Sequence, residues 1–141
     1  MNMKDKFKQA YIDTARRFAE LSHARRLKVG AIVVKDDSVV AYGYNGMPAG
    51  WDNNCEDLLD NGSLKTKPEV LHAESNAIAK LARSSVSGID ADLFVTHSPC
   101  LDCAKLIHQT GIKRVFYSEN YRDDSGLTFL EKSGIIVEQI K

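Results

Sequence analysis

Four side chains in two short stretches, His72 and Glu74 in one and Cys100 and Cys103 in the other, are of types that run metal-assisted hydrolysis. One imidazole and two thiols are good zinc ligands, and zinc held by three protein ligands keeps a position for water. A carboxylate two residues from the histidine is then placed to move that water's protons. Cys100 and Cys103 are three apart, so on a helix they share a face, and Pro99 suits a helix entry. A helix N-terminus and a zinc ion both lower thiol pKa values, so both sulfurs should bind as thiolates. His72 and Glu74 set a stricter condition. Residues two apart diverge in mid-helix and can share a target only from a first turn. The motif therefore predicts a helix with His72 at or near its first position. Two plainer readings compete. A C-x-x-C pair alone can be redox-active. Cys55 as a fourth ligand would close an inert Cys3His site, which would leave Glu74 without a task.

The elements that position these residues follow from pattern. Residues 4–23 read as a helix, with Phe7, Tyr11, Ala15 and Phe18 on one face. The basic cluster Arg25-Arg26-Leu27-Lys28 ends it. Residues 29–34 and 39–44 are β-branched runs joined by a polar turn, which predicts a hairpin. The next stretch, 43–50, holds three glycines and a proline and reads as a loop that lets backbone approach a ligand. Residues 51–68 are mostly polar and read as a lid or a second ligand surface. A helix over 72–83, a strand over 93–97 and a helix over 100–109, stopped at Thr110-Gly111, come next. A strand over 114–118, a helix over 127–132 and a last strand over 135–140 complete the chain. The order α-β-β-α-β-α-β-α-β predicts an α/β fold of three layers, α-β-α, with a five-stranded mixed sheet and helices on both faces.

The 141 residues fit a single domain over 1–141, with 43% hydrophobic and 27% charged content. Nineteen basic residues balance nineteen acidic ones, so no global field favours nucleic acid or an anionic membrane. The N-terminus is charged and leads into no long apolar run, so neither signal peptide nor membrane span is expected. An odd count of three cysteines, two in a C-x-x-C pair, favours metal chemistry in a reducing, cytoplasmic setting over disulfides.

The arrangement H-x-E…P-C-x-x-C is the signature of zinc-dependent nucleobase deaminases. From Arg26 to Ile140 the sequence resembles the cytidine and deoxycytidylate deaminase superfamily, and its deoxycytidylate (dCMP) deaminase branch most of all. The blocks are Val29 to Val34, the Gly43-Tyr44-Asn45-Gly46-Met47-Pro48-Ala49-Gly50 loop, His72 to Ile78, Ser98 to Lys105 and Gln109 to Lys113. The glycine-rich loop points to the substrate, while the zinc motif fixes only the reaction. The resemblance implies one zinc ion on His72, Cys100 and Cys103, with Glu74 as proton shuttle. It implies conversion of dCMP to dUMP and ammonia, supplying thymidylate synthesis. Arg26 stands where relatives carry an arginine near the phosphate, and Asn45 matches the residue that holds the sugar hydroxyl. Ala73, the Ser98 carbonyl and Tyr121 are the other implied substrate contacts.

Many members of the branch are hexamers, activated by dCTP and inhibited by dTTP, each with Mg2+. The resemblance then makes Lys28, Gly46, Gly50, Glu56 and Arg83 candidate effector or interface residues. A second zinc is not expected, because the corresponding region offers chiefly Cys55, with His23 distant. The competing activities are a tRNA adenosine deaminase, a free-cytidine deaminase and a non-catalytic nucleotide-sensing zinc protein. Zero net charge argues against tRNA. A free nucleoside would give Arg26 and Lys28 no phosphate, and a pure sensor has no need of Glu74.

Overall fold

The computed structural model describes residues 3–141, so the first two residues of the charged N-terminus, and the reading of them, lie outside the described residues. The order is α1 Asp5–Ala19, β1 Gly30–Lys35, β2 Ser38–Tyr44, β3 Glu56–Leu58, β4 Leu64–Thr66, α2 Ala73–Ala82, β5 Asp92–His97, α3 Leu101–Thr110, β6 Arg114–Glu119, α4 Ser125–Lys132 and β7 Ile136–Gln139. Nine of these eleven elements match the expected ones in kind and order. The first helix ends at Ala19, short of the expected 23. There the bonds shorten to three-residue spacing and Ser22 donates its hydroxyl to the Asn45 carbonyl at 2.7 Å, which draws the chain off the helix axis. The other two elements, β3 and β4, form a hairpin inside the stretch expected to be a loop. Each is three residues long and largely polar, so neither carried a readable alternation.

Five strands form the main sheet in the order β2-β1-β5-β6-β7. β1 is antiparallel to β2 and β5, while β5, β6 and β7 run parallel, so the sheet is mixed as expected. Helix α1 covers one face through Ile12 and Ala15, against Ile32, Phe94 and Phe116. Helices α2, α3 and α4 cover the other through Ala77, Ile107 and Leu130. β1, β5 and the middle of β6 are buried on both faces, hence their unbroken β-branched and aromatic runs. Among the described residues no helix is long and apolar enough to cross a membrane.

Strand direction brings the chemistry to one end. Gly30 at the start of β1 pairs with Tyr44 at the end of β2. Ala31 pairs with Val95, and His97 with Glu119, so the ends of β5 and β6 lie at the same edge. The opposite edge is pinned by Arg114, whose Nε and Nη2 donate to the two Asp92 oxygens at 2.7 Å each across the first β5–β6 pair.

Helix α2 sits close on β2 because Gly43 has no side chain. A Cβ there would run into the Ala73 carbonyl and the Ala77 amide nitrogen. Asn76 then ties the first turn of α2 to the Tyr44 carbonyl at 2.8 Å. Gly126 serves α3 in the same way, since a Cβ there would strike the Pro99 carbonyl and the Cys100 backbone. Gly43→Ala should therefore cost about 2 kcal/mol in urea unfolding. It should also reduce bound metal per chain, because the helix displaced is the one that starts at His72. Wild-type metal content in a variant of normal stability would contradict this packing.

Candidate active site

His72 is the N-cap of α2 and Cys100 the N-cap of α3, both with extended backbone (φ −80°, ψ 154° and φ −71°, ψ 169°). N-caps are normally Ser, Thr, Asp or Asn, whose side chains fold back onto the helix. Here neither side chain makes a cap bond. The helix begins at the motif as expected, one residue later than His72 itself. Glu74 becomes the second residue of α2, and Cys103 the third residue of α3, on the same side as Cys100.

The three donors meet in front of both helix ends. His72 Nδ1 lies 3.3 Å from Cys103 Sγ and 3.5 Å from Cys100 Sγ, and all three ligand atoms fall within 4.8 Å of one another. A tetrahedral zinc site with Zn–S about 2.3 Å and Zn–N about 2.1 Å has edges of roughly 3.6–3.8 Å, so the donor set fits that ion. Protonation tells the same story. The Cys103 thiol, and then His72, hold Cys100 well below the usual thiol range. The hydrogen bond to Cys100, followed by burial, pushes Cys103 up, and the Cys100 hydrogen bond raises His72. The three groups share protons where a divalent cation would let both sulfurs bind as thiolates. Cys55 stands outside this group. It is buried, its Sγ meets the Asn53 carbonyl at 3.5 Å, and burial with the Glu56 charge raises its pKa. The geometry gives it no place as a fourth ligand.

Glu74 is 4% exposed, and burial pushes its carboxyl up to about 7. It lines a cleft of about 640 Å³ together with His72, Ala73 and Cys100. Arg26, Asn45, Ser98 and Tyr121 line the same cleft, so the expected substrate contacts are brought to one cavity with the metal donors. Asn45 is partly committed to the backbone, accepting from Val29 N–H and donating to the Leu27 carbonyl, each at 2.8 Å. Its amide keeps a second N–H. Ser98 Oγ accepts from Tyr121 N–H at 2.6 Å, which fixes the aromatic segment beside the Cys100 loop.

The candidate effector residues separate. Glu56, expected among them, lies in this cleft wall at 1% exposure. Gly46 exchanges two backbone hydrogen bonds with Leu71 (3.1 and 2.8 Å) and so anchors the residue before His72. Gly50 is an exposed turn residue at φ +86°, and Lys28 is exposed outside the cleft lining. Arg83 is the C-cap of α2, at the far end of the helix from the donors.

Residues the sequence reading passed over are His97, Glu119, Asn120 and Arg122. Their signal was positional: ligands collect at the carboxyl ends of parallel strands, and these residues end or follow β5 and β6. The buried Thr96 hydroxyl accepts from Gly30 N–H at 3.1 Å and lies 3.0 Å from His97 Nδ1. The hydroxyl keeps both its proton and a second lone pair, so it can pair with either tautomer of His97.

A family model described as the cytidine and deoxycytidylate deaminase zinc-binding region matches residues 4–119. The chain belongs to this family. The dCMP deaminase of cyanophage S-TIM5, solved with dCMP and dUMP, superposes with a TM-score of 0.92 at 48% identity, covering 99% of this chain and 100% of that one. The three-layer fold is thus that of a deaminase. ComE operon protein 2 of Bacillus subtilis is 39% identical, over 82% of this chain and 61% of its own length. The deoxycytidylate deaminase of Saccharomyces cerevisiae is 34% identical, over 97% of this chain and 46% of its own length. The chain therefore spans about half to three-fifths of these two curated relatives.

Two measurements follow from the site. Elemental analysis should find about one zinc per chain, lost in Cys103→Ser and kept in Cys55→Ser; loss of zinc in Cys55→Ser as well would reinstate an inert four-ligand site. The second concerns Glu56. Burial raises its pKa, but the Arg26 and Arg25 backbone N–H groups and the Arg25 guanidinium outweigh that and hold it below the usual carboxylate range. A depressed native pKa stabilises above the unfolded value and is lost as pH falls through the native one. The stability gap between wild type and Glu56→Gln should therefore be full above the ordinary glutamate range and close as pH falls below it. A gap constant over that range would rule out an ionised Glu56.

Proposed function

We propose that this protein hydrolytically deaminates dCMP to dUMP and ammonia. The observation that carries the reading is the near-complete superposition on a dCMP deaminase, combined with a cleft lined by Arg26, Asn45, Glu74 and two of the metal donors. His72, Cys100 and Cys103 would hold the zinc, which when bound would lower the pKa of a water and so activate it. Glu74 Oε, buried at the first turn of α2, takes one proton from the attacking water and gives it to the ring nitrogen; it then takes the second, from the hydroxyl now on the amine-bearing carbon, and gives it to the amine as the C–N bond breaks and ammonia leaves. A carboxyl near 7 suits both directions, because general acid–base catalysis works best when pKa lies near the operating pH. Arg26 lines the cleft and meets the 5′-phosphate, with Asn45 on the sugar. The Ser98 carbonyl and Tyr121 border the base.

The same reading extends to regulation: activation by dCTP, inhibition by dTTP, each with Mg2+, in a homohexamer feeding thymidylate synthesis. Lys28, Gly46, Gly50 and Arg83 remain its candidate contacts, while the Glu56 carboxylate is already occupied within its own chain. Three free thiols suit a cytoplasmic setting.

Ammonia release should be fastest with dCMP among dCMP, CMP, deoxycytidine and dCTP. Added dCTP should raise it and dTTP lower it. Equal kcat/KM for deoxycytidine and dCMP would overturn the phosphate assignment. Glu74→Gln should keep its zinc and lose at least ~100-fold in kcat. Loss of zinc in that variant would give Glu74 a structural role instead.

A further inference from the structure

One cross-strand pair grips a single arginine at both ends. Glu56 and Thr66 face each other in the β3–β4 ladder. The Glu56 carboxylate accepts from the backbone N–H of Arg25 at 2.9 Å and of Arg26 at 3.1 Å. The Thr66 hydroxyl accepts from Arg26 Nη1 at 3.0 Å. The hairpin thus holds the backbone of Arg26 with one strand and its guanidinium with the other. Glu56 is 1% exposed, so its side is fixed by burial, whereas Arg26 and Thr66 are exposed on the cleft rim. An exposed arginine otherwise samples many rotamers, and ordering it on binding costs affinity. A carboxylate so deeply buried, close to a site for an anion, would repel that anion if unpaired. Here its charge is taken up by the two backbone N–H groups and by Arg25 Nε at 3.4 Å, which leaves the Arg26 guanidinium for the ligand.

We infer that Glu56 and Thr66 are positioning residues for Arg26, and that the β3–β4 hairpin sets the preference for a phosphorylated substrate over the bare nucleoside. The inference rests on the nucleotide reading above, with Arg26 as the phosphate contact. A guanidinium offers five donors, so the bond to Thr66 leaves enough for a phosphate. The hairpin then acts on ground-state binding of the phosphate and not on the reacting ring.

The test is steady-state kinetics on dCMP and deoxycytidine for wild type, Thr66→Val, Arg26→Ala and Thr66→Val with Arg26→Ala. Thr66→Val keeps shape on an exposed strand, so folding is not at stake. It should reduce the preference for dCMP roughly fivefold, through KM for dCMP with little change in its kcat. In the Arg26→Ala background it should do nothing more. Glu56→Gln should also raise KM for dCMP, and its metal content reports whether the fold has survived. A preference unchanged by Thr66→Val, while Arg26→Ala abolishes it, would sink the hairpin's role and leave the substrate reading intact. A Thr66→Val effect that persists without Arg26 would likewise sink it. Wild type with no preference for dCMP would overturn the substrate reading and this inference together.

Discussion

The structure depends on two helix N-termini being aimed at one point with their capping seats given up. A helix start leaves backbone N–H groups without partners and carries a positive end of its dipole. His72 and Cys100 occupy the two capping positions and turn their side chains outward to a shared point. Two thiolates there would offset the positive ends, and a bound cation would in turn hold the thiolates. The remaining site features follow from that meeting: the first-turn location of Glu74, its burial, and the approach of the ends of β5 and β6.

Bringing the ends together is a backbone task. Gly43 lets α2 lie against β2, and Gly126 lets α4 lie against the Cys100 turn. Gly46 fastens the glycine-rich loop to Leu71. The loop thereby serves two needs, holding the residue before the first metal donor and presenting Asn45 to the cleft. A chain of zero net charge can still receive an anion here, because the relevant field is local. Arg26 and Arg122 line the cleft, and the Glu56 charge nearby is taken up by hydrogen bonds.

Much of this was legible in the sequence for physical reasons. The i, i+2 spacing of His72 and Glu74 has one workable backbone solution, so it encoded the helix start. The buried strands β1, β5 and β6 had long β-branched and aromatic runs that only a doubly covered sheet needs. The hairpin β3–β4 was hidden because its stability comes from Glu56 bonding residues about thirty positions away, not from its own pattern. Glu56, which the resemblance put among the effector candidates, stands in the cleft wall with its carboxylate bonded to the Arg25 and Arg26 backbone. His97 was missed because its place depends on Thr96, which Gly30 N–H bonds only once the sheet has formed.

The Asp92–Arg114 clamp lies at the edge of the sheet opposite the donors, where it and the buried strand centres hold the fold without reference to any ligand. Small zinc domains that lack such a core collapse when the metal leaves. Here the metal's departure would expose only two helix tips. The three donors thus stand at one end of a scaffold whose buried core and far-edge clamp lie apart from them.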